Sequence, residues 1–260
     1  MNDSNTNDGS LEKPSKVREE YIAKAPRGLP KRFYKSVCVH HGEKSHRILL
    51  DGRPVKTPKR NRLEVPSPRL AQALQAEWAA QETHIDPDRM PLTKLVNTAL
   101  DGVVGKEAEV IDSIAQYLES DAVCYRAQGP KELVALQQKN WDPLLRWAWR
   151  ELGLKLKPTQ GIMPVAQPGK TLNKAREHLA SYDALELAAI HVMTTLAGSV
   201  LIALSLVQGR LTIGEAWTAA HVDEAYQAGH WGEDSDSKMR QAYRRNEFDA
   251  AHRLFTLLRP

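Results

Sequence analysis

Cysteine is nearly absent: Cys38 and Cys124 are the only two in 260 residues, and no Cys-x-x-Cys or Cys/His spacing surrounds either. That excludes a disulfide framework and a cysteine-built zinc site, and it fits a reducing compartment. Catalytic fingerprints are missing too, with no H-E-x-x-H, G-x-S-x-G or Rossmann glycine motif. Gly169-Lys170-Thr171 looks like the end of a phosphate-binding loop, but Pro164 stands where the loop needs its first glycine and no suitable apolar strand precedes it. Nucleotide binding by this motif is therefore rejected. The opening MNDSNTNDGS lacks the basic and apolar regions of a signal peptide and the arginine-rich character of a transit peptide. The expectation is a bacterial-type cytoplasm.

What is present is ordinary globular material, 42% hydrophobic and 26% charged, long enough to bury real cores without staples. A single core usually stops growing near about 250 residues, so two domains are expected. The net charge of +4 and pI of about 9.0 permit an acidic partner but are too weak to imply nucleic acid alone.

Residues 1–29 have almost no apolar periodicity and read as a mobile tail, with room for a short helix near 16–22. From residue 32 the pattern alternates, with Phe33, Val37 and Val39 near one face and Ile48 and Leu50 repeating the spacing. Asp51-Gly52 is a two-residue hairpin signal, because a type I′ turn needs positive φ at both central residues. Strands at 53–57 and 62–65 should complete a small antiparallel meander. Residues 31–64 hold ten Lys/Arg against three acids, so the sheet is locally basic. Ser67 before Pro68 starts a helix whose Leu70, Leu74 and Trp78 form one stripe over that sheet, and Trp78 is assigned to packing. The helix must end before Asp86-Pro87.

Beyond Pro91 everything reads helical. Leu92, Leu95, Val96, Ala99 and Leu100 form a stripe ended by Asp101-Gly102. Residues 132–152 carry Leu133, Leu136, Trp141, Leu144, Leu145 and Trp149, with an interruption expected at Pro143, where Asp142 would cap a restarted helix. Residues 187–207 hold no Asp, Glu, Lys or Arg and could span a bilayer by length, but their alanines, hydroxyls and His191 favour a buried helix or helix pair. Thr212 and Glu215 make a capping box for a helix burying Trp217, Ala220, Val222 and Tyr226. A final helix runs from about 235 to 258, with Met239, Tyr243, Leu254 and Phe255 among its apolar positions. The fold class is α+β: an N-terminal sheet with a covering helix in two layers (30–91), followed by an all-α domain (92–260).

Residues 219–237, AAHVDEAYQAGHWGEDSDS, concentrate carboxylates around a tryptophan. Asp223 and Glu224 close one helical pattern, Trp231-Gly232 breaks it, and Asp234, Ser235 and Asp236 suit the N-terminus of the next helix. A calcium loop fails because Met239 occupies the glycine position. His40, His41 and His46 could hold a metal only if strand neighbours 40 and 41 shared a face, which alternation forbids; no metal or cofactor is expected. Glu224, Trp231 and Glu233 are left either as a packed tryptophan with surface acids or as a docking surface. An enzyme using these carboxylates for acid/base work is the alternative, and RNA or membrane-surface binding through the basic sheet a third.

Six dispersed segments resemble one family. They are Arg32-Phe33-Tyr34, LDGRPVKTP (50–58), EWAAQETHIDPDRMPLTKLVNTALD (77–101), DAVCYRA (121–127), WDPLLRWA (141–148), and EAW with VDEAYQAGHWGED (222–234). The family is that of the assembly chaperones of the F-type ATP synthase catalytic head that bind its alpha subunit, in mitochondria and alphaproteobacteria. The resemblance runs from about residue 30 to the C-terminus. It implies an N-terminal α/β domain, a C-terminal orthogonal helical bundle, and no enzymatic activity. The alpha subunit would be held without ATP until the beta subunit replaces it. It also implies a functional acidic region matching 222–234, so Asp223, Glu224, Trp231 and Glu233 become candidate partner-binding residues; Trp78, Asp51 and Gly52 keep the structural roles read from the stripe and the turn. A monomer is expected.

Overall fold

The computed structural model describes residues 28–161, 163–232 and 234–259. Residues 1–27 of the expected tail, with its helix near 16–22, lie outside them.

Alternating side chains build the sheet. β1 (Val37–His41) and β2 (His46–Leu50) pair antiparallel from Val37↔Leu50 to His41↔His46. Ile48 and Leu50 are buried and Val37 and Val39 pack against the same core, as period-two alternation requires. Asp51 (φ 47°) and Gly52 (φ 79°) turn the chain into β3 (Arg53–Pro54). The Asp51 carboxylate also accepts hydrogen bonds from the Ser36 amide (2.8 Å), the Lys35 amide (3.1 Å) and the Ser36 hydroxyl. Those bonds, the one from the Ser36 amide foremost, hold its carboxyl below the usual range.

The simple meander needs one correction. β3 and β4 (Glu64–Val65) both pair with β2, at opposite ends of the edge that β1 leaves free. Residues 56–62 leave that edge as an excursion closed by Lys56↔Arg62. The cause is a distant partner. Thr57 Oγ1 (2.5 Å), Asn61 Nδ2 (2.8 Å) and the Lys59 amide (3.0 Å) all donate to the Asp101 carboxylate. Desolvation works against ionisation there, but these donors together keep the Asp101 carboxyl below its ordinary value.

α1 (Pro68–Ala79) begins as its local sequence dictates, with Ser67 Oγ accepting from the Leu70 amide. Leu70 and Leu74 are fully buried on the sheet, each contributing about 1.5–3 kcal/mol of transfer energy. α2 (Pro91–Thr98) has no side-chain cap of its own at Met90. Glu77 of α1 supplies it, accepting from the amides of Leu92 and Thr93 and from the Thr93 hydroxyl, each at 2.8 Å. Burial outweighs those bonds and raises the Glu77 carboxyl. Glu77 and Asp101 thus bind the sheet layer to the helical region.

The stripe of α2 continues through a π turn, Ala99–Val103, into α3 (Glu107–Gln116). α4 (Lys131–Leu152) runs unbroken through Pro143, against the expected restart. Asp142 is not a cap there; its carboxylate pairs with Arg126 at 2.8 Å. Tertiary anchors on the two residues just before the proline, this ion pair and the Trp141 indole donating to Ala219 O (2.7 Å), keep the helix in place despite the lost amide. α5 (Gly169–Leu179) follows an irregular connection.

The uncharged stretch is a helix pair, α6 (Ala184–Ala197) and α7 (Val200–Val207), turned by Gly198 at φ 64°. Nearly every side chain of α7 is buried. Among the described residues no helix is long and apolar enough to cross a membrane. Thr212 and Glu215 form their capping box before α8 (Ile213–Ala220); α9 (Val222–Trp231) and α10 (Ser235–Leu258) complete the chain, α10 packing most extensively on α6. One connected apolar core extends from Tyr34 to Phe255. The architecture is a small antiparallel sheet with helices, followed by a helical C-terminal region.

Candidate functional site

The α8–α9–α10 junction gathers the candidate residues. The expected helix through 226 breaks at His221 (φ −124°, ψ 32°), so Asp223 and Glu224 open α9 rather than closing its predecessor. The break follows from His221 itself. Its ring is buried, stacks on Trp217 at 3.9 Å, and points Nδ1 at the Trp217 carbonyl at 3.0 Å. Burial lowers its pKa below that of an ordinary histidine.

The four candidates separate. Asp223 Oδ1 accepts from Gln137 Nε2 of α4 at 2.7 Å, and the buried Gln137 also accepts from the Ala127 amide at 2.8 Å. Asp223 therefore ties α9 to α4. Glu224 is exposed and has no ion pair among the described residues. Trp231, at the last position of α9, is 79% exposed. Positions 224 and 231 are two helical turns apart and share a face. Glu233 lies outside the described residues. On the other side of α9 the His230 and Tyr226 rings meet tilted at 4.1 Å, and the helix ends at Gly232 (φ 79°).

Asp234 Oδ1 accepts from the Ser237 amide at 2.8 Å and caps α10. That bond lowers its carboxyl. Among the described residues there is no cluster of three metal-ligating side chains. His41 and His46 meet across the hairpin, Nδ1 to Nδ1 at 3.0 Å, while His40 takes the opposite face. Two shallow hollows lie along α4, and neither is lined by Glu224 or Trp231. An acid/base site needs a concavity collecting its carboxylates; this surface instead offers an exposed aromatic ring with an acidic neighbour. Sequence reasoning missed Gln137, which carries no pattern of its own, and placed Trp149 among packed residues although it is 56% exposed.

Against known proteins, the family described as ATP12 chaperone protein matches residues 31–149. The crystal structure of Atp12 from Paracoccus denitrificans superposes with a TM-score of 0.83 at 36% identity, covering 88% of this chain and 99% of that one. The chain belongs to the ATP12 chaperone family. This is the family of ATP synthase assembly chaperones that the dispersed motifs resemble. Two further proteins are similar to this chain. The Atu1473 protein of Agrobacterium tumefaciens gives a TM-score of 0.86 at 39% identity, over 96% of this chain and 93% of that one. The mitochondrial protein atp12 of Schizosaccharomyces pombe is 27% identical over 233 residues, 84% of this chain and 80% of the relative. The ATP12 family match ends before α9, whereas the structural likeness covers most of the chain.

Proposed function

We propose that this chain binds the free alpha subunit of the F-type ATP synthase catalytic head and holds it, without ATP hydrolysis, until the beta subunit takes its place in the alpha/beta hexamer. It would act as a monomer in a bacterial cytoplasm. The observation that carries this reading is the face of α9 on a chain of the ATP12 chaperone family: Trp231, 79% exposed, with Glu224, which has no ion pair among the described residues, two turns before it. A chaperone for a subunit interface must present what that interface presents, an apolar anchor with charges that set register. Tryptophan is among the residues that most often carry binding energy in such patches. Asp223 and Gln137 hold the helix that offers it. We propose Glu233 as a further partner-binding residue.

The test is recovery of the alpha subunit with the tagged full-length chain from co-expressing cells. Trp231→Ala is expected to weaken binding by about 2 kcal/mol, or roughly thirtyfold. Glu224→Lys should weaken it in a salt-dependent way. Both side chains are exposed, so circular dichroism should be unchanged. Undiminished recovery with both variants would sink this surface. A co-purifying metabolite without alpha subunit would sink the chaperone reading.

A further inference from the structure

A second surface runs along α4. Val134, Gln138, Asp142, Leu145 and Trp149 recur at spacings of three and four, so one helical face carries them all. Opposite stands the extended segment 155–160, whose Thr159–Gln160 strand pairs in parallel with Tyr125–Arg126. Between the two walls lie hollows of about 270 and 240 Å³ that share Asp142 and Pro158 and therefore adjoin. At 1.5 Å per residue the α4 wall is about 22 Å long, the reach of a six- to seven-residue extended peptide.

The chemistry of the channel is uneven. The hollow nearer the end of α4 is floored by Leu145, Leu156 and Pro158, with the Trp149 indole left open beside them. Asp142 is neutralised by Arg126 at 2.8 Å. Arg146 and Lys155 flank the same hollow with no ion pair among the described residues; Lys155 Nζ instead sits 5.4 Å from the Trp149 ring centre. An apolar floor between uncompensated cations selects an apolar side chain flanked by carboxylates. The other hollow ends at Gln137, whose amide donates to Asp223 on the helix that bears Glu224 and Trp231. The channel therefore leads to the docking face already described.

We infer that this channel is a second docking site for the client, taking an extended segment of the alpha subunit with an apolar side chain against Leu145, Trp149 and Leu156 and carboxylates on Arg146 and Lys155. The inference rests on the reading that the chain binds the alpha subunit. It divides recognition in two: the α9 face supplies an acidic rim, and the α4 channel a basic one.

Full-length wild type, Trp149→Ser, the double variant R146E/K155E and Trp231→Ala would be compared for alpha-subunit affinity in low and moderate salt. Size-exclusion chromatography with light scattering would follow each. Trp149→Ser is expected to weaken binding about tenfold or more at either salt. R146E/K155E should weaken it most in low salt, with circular dichroism unchanged because all three side chains are exposed. Wild-type affinity in both channel variants, with binding lost in Trp231→Ala, overturns the channel and leaves the chaperone reading standing. Failure of the wild type itself to bind overturns both. A wild-type dimer that dissociates on Trp149→Ser would make the channel a self-interface and also overturn the inference.

Discussion

Asp121→Ala is expected to cost about 3–5 kcal/mol of folding stability, the upper range for a single substitution. Asp121 is fully buried, and its two oxygens serve separate segments. Oδ2 accepts from the amides of Val200 (2.9 Å) and Leu201 (3.3 Å) in the first turn of α7, and Oδ1 from the Val123 amide at 3.2 Å. Alanine would leave these buried donors without an acceptor, at about 1–3 kcal/mol each before relaxation. The measurement is urea unfolding followed by circular dichroism at 25 °C; a loss under 1 kcal/mol would show that water or a neighbouring carbonyl replaces the carboxylate. The cost should also vary with pH. Burial pushes the Asp121 carboxyl up to about 6, against the hydrogen bonds that favour its ionised form. A carboxyl raised on folding contributes stability that is complete below its unfolded value of 3.8 and lost as pH rises through about 6. The stability gap between wild type and Asp121→Asn, which cannot titrate, should therefore narrow from pH 4 to pH 7 on the linkage relation.

Trp78→Arg is the second large effect. The indole is half-buried against the core, and its ring meets the Tyr34 ring edge-on at 5.8 Å. The Tyr34 hydroxyl donates to the Trp78 carbonyl at 2.7 Å, while Arg32 already lies 4.7 Å over the Tyr34 ring. Arginine at 78 would remove the aromatic contact and bring a second guanidinium to the same ring. The expected loss is about 3–4 kcal/mol, less than full burial would give because an arginine stem can reach solvent from a half-open site. At 2–4 °C per kcal/mol this lowers the melting temperature by roughly 10 °C. On the proposed division into domains 30–91 and 92–260, the damage begins in the first and reaches the second through Glu77, one residue away and capping α2. Trp78→Phe should lose far less. A soluble Trp78→Arg protein melting with the wild type would refute the packing role.

The features legible in sequence were those governed by local rules. Asp51-Gly52 turned where positive φ was needed, Ser67-Pro68 started α1, and Thr212 with Glu215 capped α8, because each rests on atoms within a few residues. The features that escaped depend on partners far along the chain. Pro143 sits inside α4 because Trp141 and Asp142 are anchored elsewhere, and residues 56–62 leave the sheet because Asp101, some forty positions on, collects their donors. The same holds for exposure. A tryptophan satisfies a helical stripe whether it meets the core or a partner, so periodicity could not separate the exposed Trp149 and Trp231 from the buried Trp141. Glu224 and Trp231 became candidates through the order of motifs around them, because exposed carboxylates near a tryptophan define no chemistry of their own.

The most direct measurement mixes purified alpha subunit with the full-length chain in buffer without nucleotide, follows light scattering, and then adds beta subunit. Aggregation of the alpha subunit is expected to stop at a one-to-one ratio. A stable complex should appear on size exclusion, and the chain should be released as alpha and beta subunits co-elute, with no ATP required. Aggregation at the same rate with and without the chain, or release only on ATP addition, would contradict it.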